Sequence, residues 1–562
     1  MSKSNSNASA RIIGRRTLIK TATGLASGTL VSSLIPHATS AQQTTAPSDL
    51  SRTIIRASSS IANVETIAGK IRGYIRNDIY TFKGVPYGAN TAGELRFLAP
   101  SKPTPWTGVR TTMQYGCVCP QQKRESWKLD ELAFLMDWDD GHPGEDCLVL
   151  NIWTPSLSDG RKRPVMVWLH GGAYIVGSGH ELKCYDGENL SRRGDVVVIT
   201  FNHRLGILGY LNLSGLGDDR FTDSVNVAML DIVRALEWVR DNIASFGGDP
   251  GNVTVFGQSA GGAEISALMA MPGAQGLFHR AIVQSGSINA QGTRDHAVQL
   301  RDAVLKELGL TSSNIRPIQN LPVERIIAVG TAVASRTGIR WRPWVDGRIL
   351  PSNPFYPAAP SMSANVPMLI GTVMNETSPI GAPNSELLYE DVEKRARTMY
   401  GDKGQSIIEM ARRLHPQAKL VELSTLLDAD FAINALLQAR RKSALRAAPA
   451  YMYLFAWHTP VLDGRPLAFH QSELPFVFDN ADRCAPITGG GSEPRALAAK
   501  VSDAWINFAR SGNSNHQGLP DWPAFTTENG ATMVFDSVCQ LQSYPDRPLH
   551  DLITSAVLDR KH

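Results

Sequence analysis

The sequence predicts an α/β protein: a large, mostly parallel central sheet with helices on both faces and helical insertions over one end. Three observations carry this. Strand-like apolar runs recur at residues 165–170 (VMVWLH), 196–201 (VVVITF), 253–256 (VTVF), 281–284 (AIVQ), 368–373 (MLIGTV) and 451–455 (YMYLF). They are nearly continuous in apolar residues with little alternation, as in strands covered on both faces. Helical periodicity fills the intervals, and no repeat of 20 to 50 residues points to a solenoid or propeller.

The elements follow in chain order. Residues 1–41 contain Lys3, Arg11, Arg15, Arg16 and Lys20 with no acidic residue, so without them the net charge falls from +4 to −1. The basic excess therefore belongs to the leader and gives no reason to expect nucleic acid. The GRRTLIK run, a weakly apolar small-residue stretch and Ala38-Thr39-Ser40-Ala41 resemble a twin-arginine export signal, whose apolar part is too short for a spanning helix. The expectation is a soluble protein, periplasmic or secreted, without stable membrane insertion. Residues 42–62 read as a flexible tether and 63–562 as one domain.

Residues 64–88 read as a small antiparallel ladder. Ile232, Leu236, Val239 and Ile243 recur at helical spacing before the Gly247-Gly248 stop. Between Ser385 and Ala448 the chain turns rich in Ala, Leu, Glu and Arg, which predicts a helical insertion covering a site. Leu497, Val501, Trp505 and Phe508 form a last stripe, with Pro494 near its start and Gly512 past its end.

At 562 residues, 43% hydrophobic and 19% charged, the chain is neither disordered, collagen-like nor polytopic. Six cysteines are too few for a disulfide scaffold, though an oxidising destination permits a bridge or two. No CxxC, HExxH, phosphate loop or dinucleotide loop is present, so metal and nucleotide chemistry are not expected.

The strongest chemical signal is GQSAG, Gly257–Gly261, between the VTVF strand and a helical run. A serine on so tight a strand-to-helix turn exposes its hydroxyl, and the next amide, that of Ala260, lies at a helix N-terminus suited to a developing oxyanion. His170-Gly171-Gly172-Ala173 ends another strand, where bare glycine amides are able to serve as oxyanion donors. His170 precedes the serine and reads as structural, because this topology expects nucleophile, acid and then base.

A serine needs a histidine base, and the histidine a carboxylate. Glu376, just past the MLIGTV strand, is the best-placed acid, and Asp346 in WVDGR reads as a turn residue. His458 and His470 both follow the YMYLF strand, and position alone leaves both open as the base.

Together these residues resemble the type B carboxylesterase and cholinesterase family of α/β hydrolases. FGGDPGNVTVFGQSAG, from Phe246, and EDCLVLNIWTP, from Glu145, match its two signatures, with Val149 where Tyr or Thr is usual. Similarity extends through FKGVPYG at Phe82, RFLAP at Arg96, HGGAY at His170, FNHRLG at Phe201, AIVQSG at Ala281, MNET, HQSELPFVF at His470 and DWPAF at Asp521. The resemblance implies the α/β-hydrolase fold, Ser259 as nucleophile, Glu376 as acid, His470 rather than His458 as base, and Gly171, Gly172 and Ala260 as oxyanion donors. It also implies Glu473 and Ser285 bracing the histidine's surroundings, an Arg96–Glu145 ion pair, and a Cys119–Cys147 disulfide with Cys117 as rival partner. Two departures are Gln471 after the base and Thr377 after the acid, where Gly is common.

The implied activity is cofactor-free hydrolysis of small-molecule esters through an acyl-enzyme. Amides and carbamates need the same residues and remain alternatives, and serine-less relatives of this fold serve as binding proteins, which the intact triad argues against. Trp127 and Trp138 stand among Asp130, Glu131, Asp137, Asp139 and Asp140. That grouping admits either a site favouring cationic alcohols or a solvated acidic loop with packed tryptophans. The sequence gives no oligomeric state.

Overall fold

The computed structural model describes residues 54–123, 130–378 and 387–559. The leader and residues 42–53 of the tether lie outside the described residues, as does Trp127. The rest of the predicted tether is partly built into the fold, with Ile55 and Arg56 paired to the strand Tyr74–Arg76 and Ala62 buried.

Fifteen strands are found among the described residues. They are β1 (Ile55–Arg56), β2 (Asn63–Thr66), β3 (Gly69–Arg72), β4 (Tyr74–Arg76), β5 (Ile79–Pro86), β6 (Val109–Thr111), β7 (Val149–Thr154), β8 (Arg163–Leu169), β9 (Val197–Phe201), β10 (Gly248–Gln258), β11 (Arg280–Gln284), β12 (Met368–Val373), β13 (Ala450–Phe455), β14 (Ala531–Phe535) and β15 (Gln540–Ser543). Twelve form one sheet in the order β1-β4-β5-β7-β9-β8-β10-β11-β12-β13-β14-β15, and β2, β3 and β6 form a small one. From β9 to β14 every pairing is parallel, and both flanks are antiparallel.

All six predicted runs are central strands. Each is buried on both faces, so its side chains alternate between two apolar layers. Val165, Val167 and Leu169 of β8 face the layer that contains Ile232, Leu236 and Val239 of the helix Val227–Asn242. Met166 and Trp168 face the opposite layer, with Val501, Trp505 and Phe508 of the helix Ser492–Ser511. The predicted 64–88 ladder divides: β2 and β3 pair in the small sheet, while β4 and β5 extend the main one.

The described part of the predicted 385–448 insertion is helical, as expected. Its helices Tyr389–Tyr400, Gly404–Leu414 and Leu420–Leu426 share a separate core with the C-terminal helix Arg547–Asp559. The next helix, Asp430–Ala444, packs on β12 and β13 and brings its first turn over the cavity at Ser259.

The implied bridge requires correction. Cys119 and Cys147 are free thiols, fully buried and in contact, and Cys119 Sγ accepts a hydrogen bond from the Leu205 amide at 3.3 Å. The hydrogen bond to Cys119 and burial push the Cys147 thiol well above its ordinary value. Cys117, the rival, is also free. The Arg96–Glu145 pair is present and two-pronged, at 2.6 Å for both contacts, and Arg96 also reaches the Leu321 carbonyl at 2.7 Å.

Candidate active site

Strand β10 ends at Gln258, and Ser259 turns the chain into the helix Ala260–Leu268 at φ 57° and ψ −123°. A positive φ on a residue with a Cβ is strained and holds the hydroxyl clear of both elements. The turn closes so tightly that a Cβ on Gly261 would lie 2.1 Å from the Leu169 carbonyl oxygen, which explains the glycine there. The Ser259 amide donates to the Gln284 carbonyl at 2.8 Å and ties the turn to β11.

The expected acid and base lie in the segments that follow two adjacent strands. Glu376 follows β12, and its Oε1 accepts from the Val373 amide at 3.2 Å. His470 lies beyond β13 and donates from Nδ1 to Glu376 Oε2 at 2.5 Å. Two contacts that sequence reasoning missed hold these loops in register. The Asn375 amide donates to the Ala468 carbonyl at 3.0 Å, and the Asn375 side chain accepts from the Ala468 amide at 3.2 Å. The MNET run named the acid but gave no sign that the asparagine beside it is the clamp.

Burial opposes charging of His470, but Glu376 outweighs it by charge and hydrogen bond, and the imidazole pKa rises above its ordinary value. Glu473, three residues on, is fully buried beneath this pair and accepts from Gln284 Nε2 at 3.2 Å. Burial and then the nearby Glu376 push its pKa up to about 7.

The expected contact between serine and histidine is taken by a neighbour. The Gln258 amide donates to His470 Nε2 at 3.0 Å, and Ser259 Oγ makes no hydrogen bond among the described residues. Gln258 precedes the elbow, so its side chain reaches the same nitrogen from one residue away. The spacing of GxSxG leaves that position open, and only the fold shows where its side chain goes.

Gly171 and Gly172 follow β8 and face this turn. A Cβ on Gly171 would lie 3.1 Å from Gln258 Oε1 and 3.2 Å from Ser259 Cβ. The Gly172 carbonyl accepts from Ile175 and Val176, while the amides of Gly171 and Gly172 have no backbone partner in the loop among the described residues. The Ala260 amide, first in its helix, has no intrahelical acceptor. Ala260 lines a cavity of about 300 Å3 together with Ser259, Ala173, Ser285 and Phe431, whose ring lies 5.4 Å from that of His470.

Other candidates fall away. His458 is exposed and lines a different cavity with His415 and Trp457. His170 is buried, bonds the Gly171 carbonyl from Nδ1 at 2.8 Å and stacks on His203. Asp346 accepts from the Arg348 and Leu350 amides at 2.9 Å, as a turn residue should. Ser285 corrects one expectation: its amide is tied to the Gly371 carbonyl, its φ is 46°, and its buried hydroxyl makes no hydrogen bond to the histidine or acid. It lines the cavity and does not brace the base.

Gln471 adopts φ 84°, a conformation that favours glycine, which accounts for the usual residue there. Thr377 donates to Asp428 at 2.6 Å, away from the catalytic pair. Three of the acidic residues are engaged structurally, Glu131 with Arg465, Asp137 with Lys183, and Asp139 with the Gly141 amide. Among the described residues no cluster suits a metal ion and no helix is long and apolar enough to cross a membrane.

Known proteins carry the same architecture. The model of the carboxylesterase family matches residues 58–546. A para-nitrobenzyl esterase of Bacillus subtilis (strain 168) is 35% identical over 86% of this chain and 96% of its own. A phenmedipham hydrolase of Pseudarthrobacter oxydans is 34% identical over 84% and 94%. Among solved structures, an esterase from Clostridium hathewayi, described as hydrolysing aliphatic aromatic polyesters, superposes with a TM-score of 0.77 at 36% identity, covering 89% of this chain and 99% of that one. With the sheet, the serine elbow and the acid–histidine pair all in place, the chain belongs to the carboxylesterase family and is a carboxylic ester hydrolase.

Proposed function

We propose that Ser259, His470 and Glu376 are the residues that hydrolyse the ester, with Gly171, Gly172 and Ala260 as oxyanion donors. The observation that carries this is the 2.5 Å bond from His470 Nδ1 to Glu376, which makes Nε2, now met by the Gln258 side chain, the base nitrogen beside the strained serine turn.

For reaction, the Gln258 amide yields Nε2 to the Ser259 hydroxyl. Nε2 takes the hydroxyl proton as Oγ attacks the ester carbonyl, and Glu376 stabilises the imidazolium. The tetrahedral oxyanion lies against the bare amides, each of which contributes on the order of a hundred- to a thousandfold in turnover. The imidazolium protonates the departing alkoxide, releasing the alcohol and leaving an acyl-Ser259. Water, deprotonated at the same nitrogen, then releases the acid.

The test is a panel of esters of varied acyl and alcohol size with wild type and Ser259→Ala, alongside labelling by an active-site-directed phosphonate. Loss of turnover and of labelling in the variant is expected. Wild-type turnover that survives in Ser259→Ala refutes the assignment.

We also propose that the chain is exported across the inner membrane and acts in the periplasm or outside the cell. The support is the acid-free leader with its paired Arg15 and Arg16. Cell fractionation of wild type and an Arg15→Lys/Arg16→Lys variant tests it, and unchanged export of the variant refutes the signal.

A further inference from the structure

The cavity at Ser259 is apolar over much of its wall but has two arginines. Arg340 and Arg342, on either side of Trp341, line it together with the nucleophile. Arg340 is exposed and stands at the rim, where a second cavity of about 540 Å3 shares Ala173, Arg340 and Trp341 as a common wall. Arg342 is half-buried. Its stem is confined by Gly292, where a Cβ would lie 3.3 Å from Arg342 Cδ, and its head lies beside the buried Tyr174 hydroxyl.

The guanidinium has no carboxylate partner among the described residues, and the Tyr174 hydroxyl is the group its head meets. Arg342 Nε is buried and has no hydrogen-bond partner among the described residues. The ion pairs found among the described residues, which include those of Arg336 and Arg348 nearby, do not include Arg340 or Arg342. Two carboxylates need to be considered. Glu264, beneath the same wall, is held by His203 at 3.1 Å and Tyr210 at 3.0 Å. Asp430, the exposed first residue of its helix, lines the cavity without pairing to either arginine.

A fixed, partly dehydrated guanidinium with no carboxylate partner is a poor surface for a neutral ester and a good one for a carboxylate, which its planar fork matches. We propose that Arg342, assisted by Arg340 at the rim, is a subsite for a free carboxylate on the substrate, and that the preferred substrates are esters bearing a second, unesterified acid group. This rests on the ester hydrolase reading above and specifies its substrate class. Arg342 acts as a specificity residue: it anchors the far end of the molecule while Ser259 attacks the ester carbonyl.

The experiment compares matched pairs that differ only in charge. Monoethyl terephthalate against ethyl 4-carbamoylbenzoate places the acid on the acyl side, and 4-acetoxybenzoate against 4-acetoxybenzamide places it on the alcohol side. In wild type at least one acid should exceed its amide in kcat/KM by about tenfold or more, chiefly through KM, as a charge-assisted hydrogen bond provides. That ratio should fall toward one in Arg342→Met, stay partly in Arg342→Lys, and rise in Asp430→Asn. Equal rates within both pairs, or a preference that survives in Arg342→Met, overturn the proposal. If wild type hydrolyses none of the four, nor 4-nitrophenyl acetate, it is the ester hydrolase reading that fails. A far-ultraviolet circular dichroism melt of each variant separates lost folding from lost selectivity.

Discussion

Replacing Glu473 by Gln should change how stability depends on pH, and in an unusual direction. Most buried carboxylates in folded proteins are paired and lose stability in acid. Glu473 is fully buried with no cation at hydrogen-bond distance among the described residues, and its pKa is pushed up to about 7 from 4.5. The folded state therefore holds this proton more tightly than the unfolded chain. Its stabilising contribution is complete below about pH 4.5 and is lost as the pH rises through about 7. Two and a half pH units correspond to about 3 kcal/mol. Gln keeps the size and one acceptor oxygen but does not titrate. Urea unfolding of both proteins at about pH 4.5 and about pH 8.5 should show the variant gaining about 3 kcal/mol on wild type across that interval. A stability difference that stays constant with pH would refute the claim that the fold holds this proton up to about pH 7.

Other consequences are more direct. The raised His470 pKa puts the acid limb of the kcat/KM profile above the ordinary imidazole value, because the base must be neutral, and a midpoint below about 6.5 contradicts this. Gln258→Glu replaces the donor at Nε2 with a negative charge and should move that limb upward by on the order of one pH unit, seen in the same profile. Gly171→Ala pushes a methyl group to 3.1 Å from Gln258 Oε1 and 3.2 Å from Ser259 Cβ, so turnover of a neutral ester should fall with little change in melting temperature. Arg204→Met leaves Asp231, which Arg204 contacts at 2.6 Å and 2.8 Å, as an unpaired buried charge. It should cost about 3–5 kcal/mol in denaturant unfolding.

The central sheet was legible because parallel strands between two helical layers carry their burial in their own composition. The Met368–Val373 strand matches its predicted run residue for residue. The edge strands were not, since β6 and β15 are exposed along their whole length and leave no apolar pattern to read. At the site, chain order and the strand-to-helix turn located Ser259 and Glu376 from residue chemistry, while the choice of His470 over His458 required the resemblance. What sequence could not reveal is where side chains of adjacent residues point. Gln258 reaching the imidazole, Ser285 facing the cavity and Arg342 beside the nucleophile all depend on backbone directions fixed by distant packing. The acidic 130–140 segment stayed open between two readings for the same reason, because its carboxylates meet Arg465 and Lys183 only in three dimensions.

The asparagine clamp between the acid turn and the histidine loop makes the proton relay one mechanical unit. Its two halves hang from adjacent rungs of the sheet and are latched at the tip, so thermal motion carries them together. The helical cover contributes only Phe431 and its neighbours to the other side of the cavity. The same asparagine donates from Nδ2 to Thr425 Oγ1 of the cover at 2.8 Å, and Thr377 donates to Asp428, so the cover is tied to the acid turn and access to the cavity is coupled to the pair that does the chemistry.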